Sequence, residues 1–326
     1  MPISPLEMRY VYTHYTLKHF KIFVFFNANV NQLMKSAMLL KSPPISVIVT
    51  TYNRPDALHL VLSALAQQTQ LPNEVIIADD GSTDATRLLI DQLQHQLNYP
   101  LKHVWQQDEG FQAAKIRNKA VLLANNNYII FLDGDCVPFP DFIEQHRFLA
   151  ETFWFVSGHR LLLEKKFTQK ILKEFLPIYK DSALQWLSHY FHDQSNRLFP
   201  LLRIRLNKLR KFQAMRWQGA KSCNLGLWKE DFLTVNGFDE SFIGWGYEDS
   251  DLVIRLIRAG IKRKTGKFAV PVIHLWHQQN DREKEQINLN LLKQIKKTHD
   301  RQGEKIPTYR PPVYASEDIE LQEACS

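Results

Sequence analysis

The chain has 326 residues, 44% of them hydrophobic and 23% charged, with a net charge of +7. That is enough apolar material for one large core or two modest ones, and it excludes a disordered or fibrous chain. Three scattered cysteines, Cys136, Cys223 and Cys325, lack metal or redox spacing, so a disulfide framework is excluded and a reducing, cytoplasmic setting is expected.

No run approaches the roughly 20 apolar residues that span a bilayer. The segment from Phe20 to Val30 is short and broken by Lys21, Asn27 and Asn29, which makes it a poor signal peptide. Residues 1–41 show neither clean periodicity nor caps. They read as an N-terminal extension, with Met38, just ahead of the first convincing strand, as the expected natural start.

From Ile45 the pattern becomes regular. Ile45–Thr50 reads as a buried strand, Pro55–Gln67 as a helix, Glu74–Ala78 as a strand and Asp84–Leu97 as a helix. Leu101–Trp105, Ala113–Ala124 and Tyr128–Leu132 continue the alternation, and Phe153–Arg160 reads as a further strand. Strands alternating with helices predict a mostly parallel sheet covered on both faces, an α/β fold whose ligands sit beyond the carboxyl ends of the strands.

That rule gathers Thr50, Tyr52, Asp79, Asp80 and Asp133 to Asp135 around one crevice. Tyr52 can stack on a base there, and Asp79 or Asp80 can accept from a pyrimidine imide and a ribose hydroxyl. An Asx turn with a helix cap explains Asp79-Asp80-Gly81-Ser82 equally well when it is taken alone.

Between Arg160 and Arg216 lie thirteen Lys/Arg and four Asp/Glu, a local +9, with apolar residues at helix-like intervals. Residues 161–214 read as a basic helical insert. It suits an anionic membrane surface or an anionic acceptor, or forms a solvated basic face. No nucleic-acid-binding motif accompanies the charge, so nucleic acid is not expected as a partner.

After the insert come a short strand near Cys223–Trp228, a helix from Lys229 to Asn236, a helix over Glu248–Gly260 and a final strand over Val270–Leu275. Residues 283–326 are polar and read as a peripheral tail.

Chemistry concentrates in two motifs. Asp133-Gly134-Asp135 at a strand end can hold a divalent cation against a diphosphate, though an Asp-Gly turn is its blander reading. His274 and His277, three apart, can converge on the same ion as Asp135, and imidazole ligands favour Mn²⁺ over Mg²⁺. In Gly244-Trp245-Gly246-Tyr247-Glu248-Asp249, glycines on both sides of Trp245 let the backbone present an indole to a sugar ring. Glu248 and Asp249 then follow at a helix start, where acids also suit the helix dipole. A carboxylate here can take the proton from a sugar hydroxyl, and Arg117 or Lys115 can assist a departing diphosphate.

The segment Ile45–Asp91, with Ser-Val-Ile-Val-Thr-Thr-Tyr-Asn at 46–53 and Ile-Ala-Asp-Asp-Gly-Ser-Thr-Asp at 77–84, resembles the nucleotide-binding half of family 2 glycosyltransferases. Arg117–Ala120 and Phe131–Cys136 extend the match. Trp217 to His277 resembles the carboxyl-terminal part of β-1,4-galactosyltransferases and bacterial chondroitin-type polymerases. The resemblance implies a GT-A fold over residues 42–282, with 42–160 as the nucleotide-sugar half and 215–282 as the acceptor and catalytic half.

It further implies a UDP-sugar donor and an inverting transfer to a saccharide or glycolipid acceptor. In that scheme Asp135 and His277 bind Mn²⁺ or Mg²⁺ with His274 facing it, Asp133 lies at the ribose motif, Trp245 contacts the sugars, Glu248 holds the acceptor and Asp249 is the base. By analogy the setting is bacterial lipopolysaccharide or capsule synthesis, with peripheral contact at the inner membrane. A metal-dependent sugar nucleotidyltransferase needs a similar crevice. However, Thr50-Thr-Tyr-Asn-Arg-Pro55 is not the glycine-rich phosphate loop such an enzyme would show. A catalytically silent sugar-binding scaffold is the third reading, and the presence of both acidic pairs speaks against it.

Overall fold

A computed structural model describes residues 42–198, 202–204, 206–278 and 281–302. The described residues from Pro43 onward belong to one compact unit, and the expectation of an N-terminal extension with a start at Met38 lies outside the described residues.

The chain runs β1 (Ile45–Thr51), α1 (Pro55–Ala66), β2 (Glu74–Asp79), α2 (Asp84–Gln94), β3 (Leu101–Trp105), α3 (Ala113–Leu122) and β4 (Tyr128–Asp133). These four strands are parallel neighbours in the order β3-β2-β1-β4. Side chains alternate across the sheet, as the pleat requires. Val47, Val49, Val75 and Ile77 pack with α1 and α2 on one face. Ile48, Ile76, Ala78 and Phe131 pack on the other with α3 and with α8 (Glu248–Arg258). Burial on both faces is why β1, β2 and β4 read as unbroken apolar runs.

The sheet continues through β8 (Asn224–Trp228), β6 (Trp154–Ser157) and β9 (Lys262–Thr265), with β8 alone running against the rest. A second sheet has the order β5-β10-β7, from Cys136–Pro138, Pro271–His274 and His159–Leu162. The expected single strand over Phe153–Arg160 is therefore two strands in two sheets, and the chain crosses at Gly158. A Cβ there would lie 2.2 Å from the Asn224 side chain, so only glycine lets the chain pass that close and change sheets.

The expected basic helical insert contains α5 (Lys165–Glu174), α6 (Ala183–Phe191) and a 3₁₀ turn over Asn207–Lys211. Helix α4 (Phe142–Leu149) precedes β6, and α7 (Lys229–Thr234) follows β8.

The carboxyl-terminal segment is not merely peripheral. Helix α9 (Glu285–Gln302) seats Leu292 and Ile295 on a small cluster with Phe242, Ile254 and Trp217. Among the described residues no helix is long and apolar enough to cross a membrane.

Candidate active site

A cleft of about 830 Å³ opens at the carboxyl ends of β1 and β4 and is closed on the far side by α8, β10 and the 219–223 loop. Thr50 and Asp133 are direct partners in the β1–β4 register, so the two strand ends deliver them side by side. Gly134 then tucks beneath β1, its N–H donating to Thr50 O at 2.7 Å. A Cβ on Gly134 would sit 3.0 Å from that oxygen and 3.2 Å from Thr51, which gives the Asp-Gly-Asp triplet its glycine.

Arg117, on the buried face of α3, ties the halves of the site together. Its Nε donates to Thr50 Oγ1 at 3.0 Å, one terminal nitrogen lies 3.2 Å from Asp133 and the other 3.4 Å from Glu248. Burial works against its charge, but Asp133, Asp249 and Glu248 outweigh this and raise its pKa. The acids feel the reverse balance. Burial, reinforced by Asp135 and opposed by Arg117, lifts Asp133 to about 6, and burial with the neighbouring Asp249 lifts Glu248 to about 7.

The Gly244–Asp249 stretch shows why its sequence is glycine-rich. Gly244 and Gly246 have φ of 81° and 108°, and Tyr247, a bulky residue, sits at φ 75° as the N-cap of α8. That strained turn swings Trp245, Glu248 and Asp249 to the cleft wall. One carboxylate oxygen of Asp249 is buried and accepts no hydrogen bond among the described residues. The guanidinium of Arg282 lies 4.4 Å over the Trp245 ring.

The second sheet assembles the histidines. In the β10–β5 register His274 pairs with Cys136, and Leu275 N donates to Asp135 O at 2.9 Å. His277 Nε2 consequently lies 3.3 Å and His274 Nε2 3.7 Å from Asp135 Oδ2. Donors bound at about 2.1–2.3 Å to a single ion stand about 3–4 Å apart, so each histidine is within reach of an ion held by Asp135. The ligand atoms that all lie within 4.8 Å of one another are those of Asp135, Cys136 and His274, and His277 must swing closer to His274 for both rings to share one ion. Burial lowers the His274 pKa to about 4 despite Asp135, which keeps its ring neutral and able to ligate.

The structure brings Thr50, Tyr52, Asp80, Arg117, Asp133, Asp135, Trp245, Glu248, Asp249, His274 and His277 to the one cleft. It does not bring Asp79. That side chain is 1% exposed, accepts from Ser82 N at 2.8 Å and pairs with His103 at 3.1 Å. The expectation that Asp79 meets a ligand is corrected, and the turn-forming reading holds for it.

Asp80 does face the cleft, held by Gln106 at 2.6 Å and Gln112 N at 2.8 Å, and burial lifts its pKa to about 6. Tyr52 is half exposed, and its hydroxyl donates to Asp108 at 2.8 Å. Lys115 pairs with Glu109 at 3.6 Å and is not among the lining residues. Arg160, Ser222, Trp276 and Glu285 line the cleft as well, although sequence reasoning gave none of them a role. Arg160 comes from β7, which was hidden by the unseen sheet crossing, and Glu285 from the polar tail.

A mostly parallel sheet with an acidic, histidine-bearing cleft at its strand ends defines the GT-A class of α/β folds. Residues 46–210 match the description Glycosyl transferase family 2, and residues 207–278 match one described as N-terminal domain of galactosyltransferase. The chain belongs to glycosyl transferase family 2.

Among its relatives, validoxylamine A glucosyltransferase of Streptomyces hygroscopicus subsp. limoneus is 31% identical over 67% of this chain and 49% of its own. Hyaluronan synthase of Pasteurella multocida is 31% identical over 85% of this chain and 28% of its own. The chain thus spans about half or less of the length of these relatives. A solved mannosyltransferase of Pyrobaculum calidifontis, in complex with GDP-Man and Mn²⁺, shares the fold at a TM-score of 0.52 and 18% identity, covering 82% of this chain and 67% of its own.

Proposed function

We propose that the chain is an inverting glycosyltransferase that moves a hexose or N-acetylhexosamine from a UDP-sugar to a saccharide or glycolipid acceptor. The expected setting is bacterial surface-polysaccharide synthesis, with peripheral contact at an anionic inner membrane. The observation that carries the reading is the presence, in a single cleft, of Asp135 with His274 and His277 near it and of the Glu248–Asp249 pair, with Arg117 bridging Asp133 to Glu248.

Asp249 is half-buried and lines the cleft beside Trp245 and Glu248, where an acceptor would lie. It takes the proton of the attacking hydroxyl while that oxygen bonds to the anomeric carbon. Glu248 holds the acceptor hydroxyls, and Trp245 offers an apolar face to the sugar ring. Tyr52 and Asp80 receive the base and ribose, with Asp133 at the ribose motif. Asp135, His277 and His274 would hold Mn²⁺ or Mg²⁺, which when bound neutralises charge developing on the diphosphate. Attack from the face opposite the leaving group is a single displacement, hence inversion.

The test is UDP release over a panel of UDP-sugars with Mn²⁺. Donor-selective release that EDTA and Asp135→Ala abolish is expected. Asp249→Asn should lower turnover by about 100-fold or more while leaving UDP affinity unchanged. Release that persists in EDTA, or an Asn variant as fast as the parent, overturns these assignments.

A further inference from the structure

The basic insert is not one uniform surface. Phe167 and Ile171 of α5 and Trp186 of α6 turn into the core, and Thr168 and Leu172 line the cleft. A different patch faces out, on the 3₁₀ turn and the residues after it. Leu209, Phe212 and Met215, three apart, are 68%, 77% and 60% exposed, and Phe153 is 63% exposed. In a 3₁₀ turn residues three apart eclipse one another, so Leu209 and Phe212 share a side.

Phe153 adjoins this patch, because the ring of the next residue, Trp154, lies 4.5 Å from Lys211 Nζ of the 3₁₀ turn, and β9 is flanked by both pieces. Lys262 N donates to Phe153 O and Arg263 N to Ala214 O, each at 2.8 Å. Four cations frame these apolar side chains. Lys211 and Lys262 lie 4.5 and 5.9 Å from the Trp154 ring, Lys211 being also paired with Glu151 at 2.5 Å, and Lys208 and Arg216 are exposed, so three of the four cations carry the net charge of the patch. No acidic residue occurs from 194 to 229.

We propose that the patch of Phe153, Leu209, Phe212 and Met215, ringed by Lys208, Lys211, Arg216 and Lys262, docks this chain on an anionic phospholipid bilayer. The composition selects the occupant. A second copy meeting this face would set cations against cations. An anionic headgroup layer instead neutralises the cations while the apolar tips enter the acyl boundary, as interfacial segments do. From Arg216 the chain runs directly into the 219–223 loop that lines the cleft. Docking here would therefore set that wall of the cleft near the bilayer, where a lipid-linked acceptor would lie. The inference deepens the membrane part of the proposed function and rests on it.

Co-sedimentation of the full chain with vesicles of phosphatidylglycerol and phosphatidylcholine, against pure phosphatidylcholine, tests it. Partition onto the anionic vesicles at least about ten-fold above the neutral ones is expected, and it should fall with added salt. Leu209→Ser/Phe212→Ser and, separately, Lys208→Glu/Arg216→Glu should each cut that partition by about ten-fold with the thermal midpoint unchanged. Absent or charge-indifferent binding by the parent, or unaltered binding by both variants, overturns the proposal. So does self-association of the parent that the serine variant disperses, because the face would then belong to a second copy. Calorimetric UDP binding measured on the same samples keeps the two readings apart: its absence sinks the glycosyltransferase reading and leaves the vesicle result to stand on its own.

Discussion

Glu248 carries a heavy electrostatic load, because it is buried beside Asp249, and Arg117 with a backbone hydrogen bond only partly opposes its protonation. Its ordinary pKa of 4.5 rises to about 7 in the fold. The folded chain therefore keeps a proton that the unfolded chain has already released between about pH 4.5 and 7. The unfolded state binds fewer protons in that window, so stability falls as pH rises through it and levels off above. Glu248→Gln removes the ionisation and keeps the shape. It should be more stable than the parent at pH 8 by up to about 3 kcal/mol, the order of magnitude such a shift is worth, and equal to it below pH 4.5. Urea unfolding at the two pH values measures this, and an equal difference at both would refute it. The cost fits a side chain placed for a ligand rather than for folding, as does the left-handed Tyr247 that caps the same helix.

At the scale of elements, the crossing at Gly158 decides where two cleft residues go. It sends the chain from β6 to β7, and β7 presents Arg160 and pairs His274 with Leu162. Gly158→Ala would drive a methyl into Asn224, whose Nδ2 donates to Val270 O at 2.7 Å in the core. A loss of about 1–3 kcal/mol is expected in a denaturation experiment, together with weaker metal binding as β7 and β10 shift.

The same glycine marks a limit of sequence reading. An apolar run through 153–161 shows no sign that its two halves pair with different sheets, because the reason is the distant Asn224. Strands β1, β2 and β4 were legible because both their faces are buried, and α8 because its apolar stripe is regular. Asp133, Asp135, Glu248 and Asp249 were legible because strand ends and helix starts announce themselves by pattern. Asp79 and Asp80 could not be separated. They are neighbours at a strand end, and the pleat turns one into the His103 contact and the other to the cleft. Helix α9 was hidden too, since the hollow that receives Leu292 is built from Phe242 and Ile254 only once the chain has folded.

Across the whole molecule the cleft is assembled from segments far apart in sequence, with β1, β4, β7, β10, α8 and the 219–223 loop all contributing walls. A ligand that touches all of these binds the folded chain and not the unfolded one, so it must stabilise by mass action. At a UDP concentration about 100 times its dissociation constant, with Mn²⁺ present, the gain is about 2.7 kcal/mol. For a chain of this size that raises the thermal midpoint by about 5 °C. EDTA should remove most of the shift, because Asp135, His274 and His277 alone hold like-facing donor atoms and no counter-ion for the diphosphate. Asp135→Ala should lose the UDP-dependent shift while its ligand-free midpoint stays at or above that of the parent, since the substitution also removes a carboxylate that raises the buried Asp133. A full shift in EDTA would mean that UDP is held by Arg117, Arg160 and the backbone without a cation, and the metal assignment would then fall even if UDP binding stood.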